Sequence, residues 1–339
     1  MLQMRPRCEH CQRSLPPETD QARICAYECT FCAPCVDGDL GGVCPNCGGE
    51  LQPRLRQQPT VEPITARDDR IAKAAAFHAL HQENEAFILP NPWDPGSARL
   101  LSQAGFSALA TTSAGYAFSR GLRDGQIGRD QTLSHAAEIV AATPLPVSAD
   151  LENGFGDSPE AVEATIAAAA AVGLVGGSIE DATGRADDPI YPLALATERI
   201  RAAVAACRLL PFRFTLTARA ENYLWGRPDL DDTITRLQAF QEAGADVLYA
   251  PGLRRREDIA AVVAAVDRPV NVVMGLAGAA FSLAELSALG VRRVSLGSAL
   301  ARTALGALLC ASDEMCDQGS FSFARDAASM QEINRRLGG

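Results

Sequence analysis

Val147-Ser148-Ala149-Asp150-Leu151-Glu152-Asn153-Gly154-Phe155-Gly156 begins as a short apolar strand and breaks, at Asp150, into a polar turn carrying two glycines. Asp157-Ser158 then leads into an alanine-rich helical stretch. The same unit, a short apolar run followed by a longer helical pattern, recurs on both sides. Strands are expected near Phe87-Leu89, Ala108-Thr111, Val147-Asp150, Gly177-Ile179, Phe214-Ala218, Val247-Tyr249, Val270-Val273 and Arg293-Leu296, after a helical stretch from Ala66 to His81. Eight strands in strict β/α alternation over roughly 250 residues are the pattern of an α/β fold, the (β/α)8 or TIM barrel. An open doubly wound sheet is the competing architecture.

Barrel enzymes build their sites from the carboxyl ends of the strands, and here those ends are polar. The second strand runs into Thr111-Thr112-Ser113-Ala-Gly115-Tyr116 and a loop with Arg123-Asp124-Gly125. The fourth ends in Ser178-Ile-Glu180-Asp181 and the fifth in Thr217-Ala-Arg219-Ala-Glu221. Carboxylates on neighbouring strand ends repel unless a positive charge lies between them. Hard oxygen donors without Cys or His select Mg2+ or Mn2+, and Mg2+ keeps waters beside one or two direct carboxylates. Asp150 is the expected direct ligand, with Glu152 and Glu180 acting partly through water. Helix capping, the plainer reading of such acids, suits Asp157 and Ser158 better.

Composition narrows the chemistry further. Lys73 is the sole lysine, and the histidines are His10, His78, His81 and His135; none falls at an expected strand end, so Schiff-base, phosphosugar aldolase and isomerase routes lack their groups. Cys207, Cys310 and Cys316 fall in expected helices, where packing in the core is their expected role. The formal charge of −10 lies almost wholly after residue 59, which argues against nucleic-acid binding. Neither a signal peptide nor a membrane span is indicated, so a cytoplasmic enzyme is expected.

In the cytoplasm disulfides are disfavoured, and eight of the eleven cysteines crowd between Cys8 and Cys47. They form four close pairs: Cys8 with Cys11, Cys25 with Cys29, Cys32 with Cys35, and Cys44 with Cys47. Four pairs can fill two tetrahedral Zn2+ sites of four thiolates each, with no position left open for water, which makes the metal structural. If the pairs alternate, the first and third share one ion and the second and fourth the other; one zinc with spare thiols is the alternative. The chain therefore divides into a zinc-binding module at 1–55, a Pro, Gln and Arg-rich linker at 56–65 and the barrel at 66–339. The module resembles a short bacterial cysteine-rich family of unknown function through Cys8-Glu-His-Cys11, Ile24-Cys25, Glu28-Cys29-Thr-Phe-Cys32 and Gly41-Gly-Val-Cys44-Pro-Asn-Cys47.

The run from Ser148 to Gly156, the Ile179-Glu180-Asp181 end, Ala218-Arg219 and Gly244-Ala-Asp246 resemble the isocitrate lyase and phosphoenolpyruvate mutase superfamily along essentially the whole barrel. The resemblance implies that Asp150, Glu152 and Glu180 hold Mg2+ and that Arg219 faces the oxyanion of a 2-oxo acid substrate. It also implies that Thr111, Thr112 and Ser113 hold the substrate carboxylate and that Asp124 is the loop acid near the reacting group. Three departures stand out. Glu152 takes a place where the superfamily usually has Asp. The loop from Ala182 to Pro189 lacks the cysteine of the lyases, and it lacks the asparagine of the mutases. The sixth strand ends in Ala250-Pro251-Gly252 in place of a glutamate. Decarboxylation or hydrolysis at a bond next to a 2-oxo acid is therefore favoured over aldol cleavage, with phosphonomutase chemistry second. A catalytically inactive scaffold whose zinc module docks a partner is the rival of another class. A homotetramer is implied by the resemblance alone.

Overall fold

The structure, a computed structural model, describes residues 5–15, 19–54, 64–276, 278 and 280–338. The expected linker at 56–65 lies outside the described residues except for its last two positions. The chain forms two compact units, 1–67 and 68–339.

In the first unit β1 (Ala22–Ile24) pairs antiparallel with β2 (Thr30–Cys32) on one side and β3 (Gln52–Pro53) on the other. Its core is small: Leu15, Phe31, Val36 and Leu51 pack among the cysteines themselves. So little apolar surface calls for a second source of stability.

The second unit contains β4 (Phe87–Leu89), β5 (Leu109–Ala110), β6 (Val147–Asp150), β7 (Gly176–Glu180), β8 (Thr215–Arg219), β9 (Val247–Tyr249), β10 (Val270–Val273) and β11 (Arg293–Ser295). All are parallel, in the order β4-β11-β10-β9-β8-β7-β6-β5. The Ala110 N–H donates to Pro90 O at 3.0 Å and brings the two ends of the sheet together, so the sheet is a nearly closed barrel.

Side chains alternate between the two faces of a strand. Outward residues such as Leu216, Ala218, Leu248, Val272 and Val294 join the core beneath the surrounding helices. Much of the inward set is polar: Ser148, Asp150, Ser178, Thr217, Arg219, Tyr249, Asn271, Arg293 and Ser295 line the central cavity, beside apolar Leu89, Ala110 and Val273. Barrel interiors are ordinarily filled by branched apolar residues. This one is built for polar contents.

The part of helix Ile64–Leu80 that lies in the second unit, from residue 68 on, packs against the strands. Its Phe77 is fully buried among Leu89, Ala108, Ala110 and Val175. Gly176 makes room for it, since a Cβ there would stand 2.8 Å from Phe77 Cε1 and 2.9 Å from Thr215 O. Ser158 caps the helix Pro159–Ala171. No helix among the described residues is long and apolar enough to cross a membrane. Cys207 packs against the core from helix Leu193–Leu209, whereas Cys310 and Cys316 are exposed on helix Ala299–Gln318. The expectation of core packing is corrected for those two: from Arg302 on, that helix buries little besides Ala311, so its cysteines are left at the surface.

Candidate active site and cysteine clusters

Register places the site. On neighbouring strands Glu180 pairs with Arg219 and Arg219 with Tyr249, so three inward groups meet at one level of the barrel mouth. The Arg219 guanidinium donates through Nη1 to Asp150 Oδ1 at 2.8 Å and through Nε to Glu221 Oε1 at 2.7 Å, while its Nη2 stands 3.1 Å from Glu180 Oε2. Its Cζ lies 5.2 Å from the centre of the Tyr249 ring. One cation thus serves three carboxylates.

Asp150 is fixed on every side. Its N–H donates to Thr111 Oγ1 at 3.1 Å, and its Oδ2 accepts from Ser113 Oγ at 2.9 Å. Thr112 accepts from the Gly115 N–H as the N-cap of helix Ser113–Ser119. All three hydroxyls expected to hold substrate therefore have structural employment as well: Thr111 and Ser113 position Asp150, and Thr112 starts the helix. All three residues, with Asp124, Asp150 and Arg219, line the same cavity of about 220 Å³.

Glu152 lies just beyond, at a φ of +48°, a conformation rare for a residue with a side chain. Its Oε1 is buried without a hydrogen-bond partner. Burial pushes its carboxyl up to about 8, and the charges of Asp150 and Asp124 add to the rise. Burial likewise raises Glu180 well above the ordinary range and raises Glu221, in both cases against the pull of Arg219. At the rim, loss of water and the Asp150 charge raise Asp124.

Five carboxyl groups share one guanidinium, so the site is short of positive charge and several of the acids are held toward their protonated forms, while Glu152 Oε1 is buried without a partner. Such a donor set fits a divalent cation. The oxygens of Asp150, Glu152 and Glu180 do not gather as tightly as a full set of direct ligands: among the described residues, the groups of three or more ligating side chains within 4.8 Å of one another lie in the cysteine module. Mg2+ would accommodate so open a set, because it keeps several waters of its own.

Sequence reasoning missed a supporting set. Arg199, 1% exposed, donates through Nη1 to Gly156 O at 2.6 Å and Asp157 O at 2.5 Å, and through Nη2 to Asn153 O. It stacks 4.3 Å over the Tyr191 ring, whose hydroxyl donates to Asp157 Oδ1 at 2.6 Å. Asp181 accepts from the Glu221 N–H at 2.8 Å and from Arg236 at 3.1 Å. Glu221 and Asp181 adjoin assigned residues in sequence, which was the available signal; Arg199 gave none.

In the module the eight thiols fall into two sets, Cys8, Cys11, Cys32, Cys35 and Cys25, Cys29, Cys44, Cys47, each with its sulfurs within 4.8 Å of one another. First and third pairs share one set, second and fourth the other. Sulfurs of Cys11 and Cys32 stand 3.6 Å apart and those of Cys25 and Cys47 3.5 Å, near the roughly 3.8 Å edge of a tetrahedron with zinc–sulfur bonds of about 2.3 Å.

Comparison with known proteins agrees with this geometry. A solved structure from Burkholderia cenocepacia, described as a putative lyase/mutase, superposes with a TM-score of 0.79 at 62% identity over 80% of this chain and 98% of that one. An uncharacterized protein of Mycobacterium tuberculosis is 36% identical over 66% of this chain and 82% of its own length. The oxaloacetate decarboxylase of Chromohalobacter salexigens is 28% identical over 66% of this chain and 78% of its own. Residues 1–57 match a protein family of unknown function, DUF1272. Residues 77–316 match phosphoenolpyruvate phosphomutase, and over that barrel the chain belongs to the phosphoenolpyruvate phosphomutase family of lyases and mutases.

Proposed function

We propose that this chain is a Mg2+-dependent enzyme that breaks a carbon–carbon bond next to a 2-oxo acid, in the manner of a decarboxylase or hydrolase. The observation that carries the reading is the convergence of Asp150, Glu180 and Ser113 around the Arg219 fork at the barrel mouth. Asp150, Glu152 and Glu180 would hold the Mg2+, which when bound supplies Lewis-acid polarisation of the 2-oxo group. Arg219 meets the charge that develops on that oxygen as the bond breaks. A fixed donor in a site shielded from water contributes on the order of 3 kcal/mol to such a step. Ser113 and the start of its helix orient the substrate carboxylate. Asp124, its carboxyl raised by loss of water and by Asp150, carries the proton to or from the carbon that loses its bond. The relative from Chromohalobacter, an oxaloacetate decarboxylase, supports this choice of reaction.

The cysteine module holds two structural Zn2+ ions, one in each thiolate set, and its reduced thiols suit the cytoplasm. Leu308, Leu309, Phe321 and Met330 are exposed apolar residues of the carboxyl-terminal segment and support a homo-oligomer.

The test is Mg2+-dependent turnover of oxaloacetate, phosphonopyruvate, methylisocitrate and dimethylmalate by the wild type, Asp150→Ala and Glu180→Ala. Turnover of one compound, lost in both variants, is the expected result and names the reaction; phosphonopyruvate alone would move the enzyme to the mutases. No turnover, with Mg2+ bound equally by all three proteins, would leave a catalytically inactive scaffold as the better reading.

A further inference from the structure

The cavity that opens beside Ser113, Asp124 and Arg219 continues into the barrel, and its deep wall includes Thr217, Asn271 and Arg293. Arg293 is 4% exposed. Its Nε donates to Asn271 Oδ1 at 2.8 Å and its Nη2 to Thr217 Oγ1 at 2.9 Å, while Nη1 faces His81 Nε2 at 3.2 Å. His81 Nδ1 lies 2.8 Å from Phe77 O, a carbonyl that can only accept, so Nε2 is the acceptor toward Arg293. Burial and the Arg293 charge hold that imidazole down to about 3. Every hydrogen-bonding partner of Arg293 is therefore neutral.

Arg219 and Arg236 contrast with it: the first has three carboxylates and the second has Asp181 and Asp232. Arg199 also bonds to neutral groups, three backbone carbonyls, but it does not line the cavity as Arg293 does. The groups acting electrostatically on Arg293 are Tyr249 and Arg219, and no carboxylate pairs with it among the described residues. Burial, the largest influence, presses its guanidinium down to about 10, so it is still charged at neutral pH. A buried charge without a counter-ion is costly to hold. Here the uncompensated charge borders the cavity that leads from the reaction site.

We propose that Arg293, with Asn271 and Ser295, forms an anion subsite inside the barrel that receives a remote carboxylate of the substrate. The inference rests on the 2-oxo acid reading above and narrows it: the substrate carries an additional acid group, and that group stays with the product. A carboxylate destined to leave as CO2 would be held in its ground state by so strong a partner, which slows the step. Reach is adequate. Thr217, which touches Arg293, lies two residues below Arg219 on β8, a rise of about 6.6 Å, comparable with the span of a five- or six-carbon diacid.

The test is calorimetric binding to the full-length protein in Mg2+, with 2-oxoglutarate and 2-oxoadipate as diacids and pyruvate and 2-oxobutyrate as monoacids. The wild type is expected to prefer the diacids by about tenfold or more, the worth of one charged hydrogen bond. Arg293→Gln should lose that preference while its monoacid affinity stays within about twofold. Arg293→Lys, which keeps the charge, should retain part of the preference and guards against a merely misfolded variant. Equal or absent binding of the two classes by the wild type overturns the subsite, as does a parallel loss of both in Arg293→Gln. Binding requires no turnover, so the two readings fail separately. A protein that turns over none of the four test compounds yet shows an Arg293-dependent diacid preference loses the proposed reaction and keeps the subsite. One that turns over a test compound yet treats monoacids and diacids alike keeps the reaction and loses the subsite.

Discussion

Arg219 reaches from β8 across β7 to Asp150 on β6, with Nη1 2.8 Å from Oδ1. The same guanidinium contacts Glu180 and Glu221, so its planar fork holds three acids that would otherwise repel. A lysine presents a point charge and cannot keep all three contacts. Arg219→Lys should therefore lower turnover by a hundredfold or more, about 3 kcal/mol in the barrier. Thermal denaturation should show a lowered Tm as well. A variant with wild-type kcat would show that the fork only holds the acids in place.

Arg199 makes a second prediction, on a residue distant from the chemistry. Its three bonds to the carbonyls of Asn153, Gly156 and Asp157 hold the turn in which Glu152 and Phe155 adopt positive φ. Arg199→Met leaves buried carbonyls without donors, at about 1–3 kcal/mol each. The expected result is a loss of several kcal/mol in urea denaturation together with weaker Mg2+ binding, because Glu152 loses its fixed backbone. Weakened folding with unchanged Mg2+ affinity would separate the turn from the metal.

The difference between what could and could not be read in the sequence follows from range. Strands such as Val147–Asp150 and Val270–Val273 are short apolar runs whose ends carry local signals, and the acids at their carboxyl ends follow directly from the barrel rule. Close cysteine pairs announce themselves in the same way. Arg199 sits in Thr197-Glu-Arg199-Ile-Arg201, where it looks like an ordinary charge on a solvated helix face. Its partners lie more than 40 residues away in the chain. Arg293 and His81 are separated by 212 residues. The alternation along Arg293-Val-Ser295 did hold a signal, since Arg293 shares the inward parity of Ser295. Thr111 and Thr112 show the reverse case, in which a hydroxyl cluster at a strand end points to ligand binding while two of its oxygens serve the backbone.

His81 makes stability depend on pH in a defined direction. Its folded value of about 3 lies below the ordinary 6.5, so between those values the unfolded chain binds a proton that the folded chain refuses. The His81 contribution is complete above pH 6.5 and is lost as pH falls through that window. Against a His81→Gln control, the wild type should lose about 1.4 kcal/mol more per pH unit below 6.5. Raised acids such as Asp181, near 7 through burial, work in the opposite sense and are common to both proteins. Denaturation midpoints measured from pH 7 to 5 that run parallel for the two would mean that His81 protonates without leaving its place.

The cysteine module makes the remaining prediction, one of stoichiometry. Cys8, Cys11, Cys32 and Cys35 form one set and Cys25, Cys29, Cys44 and Cys47 the other, and each set is complete with four thiolates. Burial opposes ionisation of Cys8, yet the N–H groups of Cys11, Cys32 and His10 draw that thiol down to about 6, while burial raises Cys32 and a hydrogen bond with Cys32 raises Cys35; a bound metal would hold all of them as thiolates. Metal analysis should find two zinc ions per chain. Because β1 lies between strands that lead into both sets, Cys32→Ser should remove one ion and loosen the other, whereas a module with one zinc and four spare thiols would lose its only ion from one set of variants and none from the other. Chelation should unfold the module, since binding on the order of 10 kcal/mol per ion replaces the core it lacks, and the barrel's own melting transition should remain.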